Sequence, residues 1–429
     1  MRLKNQRRSQ VVPSKVRRES EVVNSKLKAQ NSKLQKLVPL LLDWFVANAR
    51  DLPWRRTRDP YAIWVSEIML QQTQVKTVIP FWNRWMSELP TIKAAAEAPS
   101  AKIHKLWEGL GYYTRVRNLQ QAARQIVAKS RRRGNKPKTG NKLATPHLVA
   151  GKFPENFDGV LALPGIGRYT AGAICSIAFN QAVPILDGNV IRVLTRIFGI
   201  AENPKEKPTN ARLWQLAEEL VCRAKHAEDE QNKTPSRPAR PACERHACSF
   251  LNQSLMELGA LVCSPRNPQC QICPVKKLCA AFRENRVEEL PNLGKREAAT
   301  ARRFIAFVAE RNGRFLVRQR PAGVVNAHLW EFPNVEVGTR LGGSQQVIAK
   351  FNALRVTDPR SEELMPLCTV KHSITRYRIT LEAFAVSLEN SPEKTNGIWK
   401  TPAQMRQLAF ASAHKKLASI AANCMLSGR

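Results

Sequence analysis

The chain has 429 residues, with 69 Lys and Arg against 34 Asp and Glu, a formal net charge of +35. At roughly 150 residues per domain this length predicts two to three domains with cores of their own, and a hydrophobic content of 43% excludes a wholly disordered chain. The charge points to a polyanionic partner, because each phosphate neutralised releases condensed counterions. No run approaches the roughly 18 consecutive apolar residues of a membrane span, so no membrane partner is expected.

Residues 1–36 form a basic N-terminal extension: eleven Lys and Arg stand against Glu19 and Glu21, with no apolar block. It is not expected to act as a secretory signal, and it reads either as an arm that touches DNA or as a solvated tail. Helical patterning begins near Leu34, runs through Trp44 and stops at the turn Asp51-Leu52-Pro53-Trp54. From Ile63 to Trp85 the pattern predicts a second helical run, with Ile68, Val75, Val78 and Ile79 on one face and Pro80 as late punctuation. Lys129 to Lys152 holds eight Lys and Arg, three glycines and no acid, and reads as a mobile basic loop; a second polar insert runs from His226 to about His246. Helical patterning resumes from Phe250 to Val262. After Pro291 the texture changes to alternation at Arg303–Glu310, Arg314–Arg318 and Tyr377–Ala385, with Asn312-Gly313 as a hairpin turn. The expected fold class is therefore a mostly α domain over residues 37–283, a linker at 284–299 and a smaller α+β domain over 300–425.

Ten cysteines are too few for a secreted disulfide scaffold, and four cluster as Cys263-x6-Cys270-x2-Cys273-x5-Cys279 behind a helix. Four thiolates can hold structural zinc or an iron–sulfur cube, and spacing alone leaves both open. Cys175, Cys222, Cys243, Cys248, Cys368 and Cys424 are scattered and read as non-ligands.

Leu163-Pro-Gly-Ile-Gly-Arg-Tyr-Thr-Ala-Gly172 joins two helical segments through a tight turn. Gly165 and Gly167 let the backbone approach a phosphate, and the N–H groups opening the next helix point at an anion. With Val183-Pro-Ile-Leu-Asp-Gly-Asn-Val190 following, the pair resembles the helix-hairpin-helix motif of the DNA glycosylases, whose loop aspartate, Asp187 here, works at the sugar of a flipped nucleotide. Hydrolysis of a glycosidic bond needs a second carboxyl to protonate the leaving group, and Glu67, in Trp64-Val-Ser-Glu-Ile-Met-Leu-Gln-Gln-Thr-Gln-Val75, is the nominee.

Arg50-Asp-Leu-Pro-Trp-Arg55, the Glu67 segment and Gly109-Leu-Gly-Tyr-Tyr113 are similar, in order, to the adenine DNA glycosylase (MutY-type) family, over about residues 35 to 425. The resemblance implies that Glu67 protonates adenine and activates water, with Tyr169 and Asn189 supporting Asp187. It implies that Gln72 and Tyr112 act as wedges around the flipped base, and that Arg50, Trp54 and Gln253 line the adenine pocket. The cysteine spacing resembles the iron–sulfur loop of the same superfamily, over 263–279, which favours one [4Fe–4S] cluster per chain. In the similar endonuclease III family a Schiff-base lysine stands two residues past the second hairpin glycine; here that position is Tyr169, and a phenol cannot form an imine.

Residues 300–425, with Leu329-Trp-Glu-Phe-Pro333, resemble the MutT-like (Nudix-fold) domain that such glycosylases append for reading 8-oxoguanine. The metal-binding Nudix helix Gly-x5-Glu-x7-Arg-Glu is missing from the sequence, so binding is expected there rather than pyrophosphate hydrolysis. Where relatives carry His-x-Phe-Ser-His, this chain has His372-Ser-Ile-Thr-Arg376; Thr375 keeps a hydroxyl for the lesion, Ile374 loses an aromatic, and Arg376 replaces an imidazole with a fixed cation. The resulting expectation is a monomeric, monofunctional enzyme of base excision repair. Its partner would be double-stranded DNA carrying adenine opposite 8-oxoguanine or guanine, in a bacterial nucleoid or a eukaryotic nucleus according to source. The alternatives are an endonuclease III-like lyase on oxidised pyrimidines and a non-catalytic iron–sulfur DNA-binding protein.

Overall fold

The computed structural model describes residues 14–131, 152–233, 246–295, 297–338, 364–374, 376–388 and 397–426. The first part of the basic extension, nearly all of the Lys129–Lys152 insert, much of the second insert with Cys243, and Thr375 lie outside the described residues, as does the side chain of Cys424. The first helices are α1 (Ser14–Asn48), α2 (Pro60–Leu70), α3 (Val75–Glu88), α4 (Ile92–Glu97), α5 (Ser100–Trp107) and α6 (Thr114–Arg131). They are followed by α7 (Phe157–Leu161), α8 (Arg168–Phe179), α9 (Gly188–Phe198), α10 (Lys207–Asn232), α11 (Ala247–Leu261) and α12 (Ala280–Arg283). Among the described residues no helix is long and apolar enough to cross a membrane.

Two compact units emerge from the contacts: one from residues up to Ile63, 155–161 and 166–294, the other from 64–154, 162–165 and 295 onward. In the first unit α11 is the centre, packed by α1, α8, α9 and α10 and buried along most of its length. Helix α1 begins at Ser14 rather than near Leu34. The stretch Ser14–Val38 holds no Gly or Pro and is rich in Lys, Arg, Glu and Gln, good helix formers that favour this earlier start. Leu34, Leu37, Val38 and Leu41 are buried, and Phe45 meets Phe250 of α11 edge-to-face at 5.5 Å.

The second unit joins the end of α2 and helices α3–α6 to a mixed sheet. Its helical core rests on indoles, with Trp64, Trp85 and Trp107 fully buried and Trp85 set against Trp107 at 5.7 Å. The single helical run expected over Ile63–Trp85 is two helices, broken between Leu70 and Val75, where Gln72 takes φ +57°. No Gly or Pro marks that break; the carbonyls at its start are bonded by Arg115, distant in sequence.

The sheet strands are β1 (Thr300–Arg311), β2 (Arg314–Gln319), β3 (Trp330–Glu331), β4 (Asn334–Val337), β5 (Met365–Ile374), β6 (Tyr377–Ser387) and β7 (Ile398–Lys400), followed by α13 (Pro402–Gln407) and α14 (Ser412–Leu426). The order is β3-β2-β1-β6-β5, with β4 also on β1 and β7 on β2. Strands β1 and β6 run parallel, whereas the β1–β2 hairpin turns at Asn312 and Gly313, both at positive φ. Alternation sorts β1 between two cores. Ala306 and Val308 join Phe315, Leu381, Phe410 and Leu417 on one face, and Ile305, Phe307 and Ala309 join Leu316 and Val386 on the other.

Candidate active site

Helix α2 opens on Pro60, a residue suited to a first turn, and Asp59 Oδ1 accepts the N–H of Tyr61 at 3.0 Å. From Tyr61 to Met69 every residue is buried, so this short helix is a core element on all sides. Glu67 lies within it, only 5% exposed.

Past Glu67, the end of α2 is held by Arg115 of α6. Its Nη1 donates to the carbonyls of Ile68 at 2.9 Å, Met69 at 3.0 Å and Gln71 at 2.6 Å. Its Nη2 donates to Leu110 O at 3.0 Å and Gly111 O at 3.1 Å. Burial lowers its pKa to about 10, so it stays a cation at neutral pH. One guanidinium thus satisfies carbonyls that a helix end leaves open and ties the Gln72 turn to the Gly109–Tyr113 loop. Gln72 is exposed at φ +57°, and Tyr112 is 40% exposed at φ +47°. Two non-glycine residues in the left-handed region are uncommon backbone, and both are residues expected to wedge into DNA.

At the hairpin, Gly165 has φ +77°, and a Cβ there would come within 2.6 Å of Asn118 Cβ. Gly167 is the N-cap of α8 and offers no side chain to its first N–H groups, which leaves them available to an anion. Helix α8 closes on Asn180 in the left-handed conformation. The side-chain oxygen of Asn180 then accepts the N–H groups of Cys248 at 3.1 Å and Ser249 at 3.2 Å, in the first turn of α11.

Asp187 is the N-cap of α9. Its Oδ1 accepts Val190 N–H at 2.8 Å, and its Oδ2 accepts Asn189 Nδ2 at 3.2 Å. Asn189 Oδ1 in turn accepts Arg192 Nη2 at 2.8 Å, and Arg192 reaches Gly259 O at 2.8 Å and Cys263 O at 2.7 Å. Burial pushes the Asp187 pKa above the ordinary 3.8, against the pull of Val190, Asn189 and Arg192. Two glycines clear space around this loop: a Cβ on Gly172 would stand 2.3 Å from Pro184 O, and one on Gly259 would stand 2.7 Å from Asn189 Cβ.

The expected pocket residues Arg50 and Gln253 are engaged in a network that the sequence did not reveal. Glu257 of α11, only 1% exposed, accepts Arg50 Nε at 2.8 Å and Nη2 at 2.7 Å, together with Arg55 Nη1 at 3.0 Å and Nη2 at 2.9 Å. Arg55 Nε also donates to Gln253 Oε1 at 3.1 Å. Despite burial, these cations hold Glu257 down to about 2. Trp54, in the turn between the two arginines, is buried, and Tyr169 Oη donates to Met256 Sδ at 3.2 Å. Arg55, Glu257, Arg115 and Arg192 were not among the expected residues; Glu257 lies within the helical pattern from Phe250 to Val262, but nothing there marks a helix glutamate as buried.

The thiols of Cys263, Cys270, Cys273 and Cys279 line one cavity with Val193, Arg196 and Val275. Burial pushes Cys273 up to about 12 and raises Cys270 and Cys279, and Arg196 Nη1 donates to Cys263 Sγ at 3.4 Å. Among the described residues no group of three His, Cys, Asp or Glu closes around a single ion. Cys175 and Cys248 are buried elsewhere, each raised to about 12 by desolvation. In the sheet, Ile374 pairs with Tyr377 across the β5–β6 turn. The guanidiniums of Arg302 and Arg376 lie over the Tyr377 ring at 5.1 and 5.4 Å.

Residues 65–219 match the HhH-GPD superfamily of base excision DNA repair proteins, and residues 305–419 match the NUDIX domain. The chain is 33% identical over 437 residues to the adenine DNA glycosylase of Rattus norvegicus, covering 88% of this chain and 76% of that protein. It is 33% identical over 439 residues to the adenine DNA glycosylase of Homo sapiens, covering 88% and 72%. A solved thermostable thymine-DNA glycosylase is 28% identical with a TM-score of 0.46, covering 60% of this chain and 99% of that one.

Proposed function

We propose that this chain, which belongs to the adenine DNA glycosylase family, excises adenine mispaired with 8-oxoguanine or guanine in duplex DNA without cleaving the strand. Its class is a DNA N-glycosylase of base excision repair. The observation that carries the glycosidic chemistry is the environment of Asp187: a partly buried helix N-cap carboxylate, held by the amides of Val190 and Asn189 and raised in pKa, in the loop after the hairpin.

The glycosidic bond of a stacked adenine is out of reach, so the nucleotide is flipped from the duplex, with Gln72 and Tyr112 filling the space it leaves. Arg50, Trp54 and Gln253 bound the adenine. Glu67 protonates the base at N7, which weakens the C1′–N9 bond. Asp187 faces the positive charge that grows on the sugar, and Asn189 and Tyr169 fix its surroundings. Water completes the abasic site. No lysine stands at the Tyr169 position to capture the sugar as an imine.

The donor set of Cys263, Cys270, Cys273 and Cys279, four soft thiols around one cavity beside Arg196, fits a [4Fe–4S] cluster. When bound, that cluster supplies four iron–thiolate bonds that fix the loop between α11 and α12. Thr375, beside Ile374 and Arg376, contacts 8-oxoguanine from the sheet domain.

The test is single-turnover reaction of labelled duplexes carrying adenine opposite 8-oxoguanine, guanine or thymine, each with and without alkali. Breaks that require alkali and appear opposite 8-oxoguanine and guanine support the proposal. Breaks without alkali replace it with a lyase, and bound DNA without product replaces it with a binding protein.

A further inference from the structure

Glu108 is the C-cap residue of α5 and directly precedes the Gly109–Tyr113 loop. Its side chain is only 5% exposed, and each of its oxygens is used. Oε1 accepts the N–H of Phe410 at 3.0 Å, and Oε2 accepts Lys105 Nζ and Lys415 Nζ, each at 2.8 Å. Lys105 Nζ also donates to Leu408 O at 3.0 Å. Segment 408–411 is clamped to the sheet, since Trp330 N–H donates to Ala409 O at 2.9 Å and Ala411 N–H donates to Trp330 O at 3.1 Å. Helix α14, which carries Lys415, packs against β5, and its Leu417 shares a core with Val370 of that strand. Strand β5 ends in His372-Ser-Ile374, beside Thr375. On the other side of Glu108, the loop is gripped by Arg115, which also holds the last carbonyls of α2 directly after Glu67.

We propose that Glu108 is a positioning residue that transmits the state of the 8-oxoguanine-reading end of the sheet, through Lys415 and α14, to the Tyr112 loop and thence through Arg115 to the helix of Glu67. This rests on the roles assigned above to Glu67, Tyr112 and the sheet domain. The sheet and the loop meet through a carboxylate whose ammonium and amide donors come from both sides, and such a bond is strongly directional once water is excluded. A shift of α14 moves Lys415 and Phe410 relative to Glu108. The loop must follow, because its remaining freedom is taken up by Arg115.

The experiment uses the full chain with Lys415→Met and Lys415→Arg; Lys415 is half-exposed, so neither variant threatens folding. Lys415→Met should lower the preference for adenine opposite 8-oxoguanine over adenine opposite guanine by about tenfold while leaving the guanine reaction near the wild-type rate. Lys415→Arg, which keeps the charge, should retain the preference. In hydrogen exchange, amides 109–113 should exchange faster in Lys415→Met. An unchanged preference, an equal loss on both duplexes, a wild type that treats the two alike, or faster exchange confined to α14 each overturns the proposal. A wild type that releases adenine from neither duplex defeats the proposed function itself, and the exchange measurement then decides the Glu108 link alone.

Discussion

Two carboxyls of the same helical unit, Glu257 fully buried and Asp187 partly so, are treated in opposite ways. Glu257 receives two guanidiniums and falls to about 2, whereas Asp187 receives a backbone amide and a side-chain amide and is raised by burial. The first carboxylate is neutralised by fixed cations and has little electrostatic potential left to offer a substrate. The second is held by amide donors instead, so a developing cation beside it is stabilised strongly in a poorly screened site. The contrast separates a carboxylate that holds α11 to the Arg50–Arg55 turn from one suited to chemistry.

The largest effect is expected at Glu67. Glu67→Gln should bind mispaired duplex yet release adenine about a thousandfold more slowly, measured in single-turnover reactions; near-normal release would remove Glu67 from the mechanism. Asp187→Asn keeps the N-cap geometry, and should lose about a hundredfold in excision while its thermal midpoint stays level or rises, because a carboxyl raised by burial costs stability when charged. A clear fall in the midpoint would show that Asp187 is structural. Glu257→Ala should do the reverse in stability, losing about 3–5 kcal/mol as Arg50 and Arg55 are left without their counter-charge, measured by urea unfolding.

Acid sharpens the same contrast. The folded pKa of Glu257, about 2, lies below its ordinary 4.5, so its stabilisation is complete above about 4.5 and is lost as pH falls toward 2. The raised Asp187 has the opposite sign for stability, and its excision should fail earlier on acidification, through a pKa above 3.8. Excision that persists in acid down to the Glu257 range would contradict the environment assigned to Asp187. The smallest effect concerns the basic insert: deleting Arg131 to Lys142 should flatten the salt dependence of DNA binding, and an identical slope would exclude phosphate contacts there.

Much of this site is legible along the chain because its parts are local motifs. The hairpin glycines, the aspartate after Val183-Pro-Ile-Leu and the four cysteines each announce themselves within a few residues, as does the strand alternation after Thr300. Helix α1 shows the limit: the pattern read from Leu34 misses a helix start at Ser14, in a stretch whose Lys, Arg, Glu and Gln favour helix. Gln253 and Arg50 show another, since their type fits a base pocket but their hydrogen bonds are shared with Arg55 and Glu257.

Short spacing and residue chemistry suffice for the helical and sheet halves and for the family, and they nominate the two carboxyls and the thiol set. Tertiary structure decided the break between α2 and α3, the Arg115 clamp, the burial of Glu257 and Glu108, and the opposite electrostatics of Glu257 and Asp187. Each of those depends on which groups from distant parts of the chain share a water-poor space. Coulomb and desolvation energies are set by that proximity, and no local pattern encodes it.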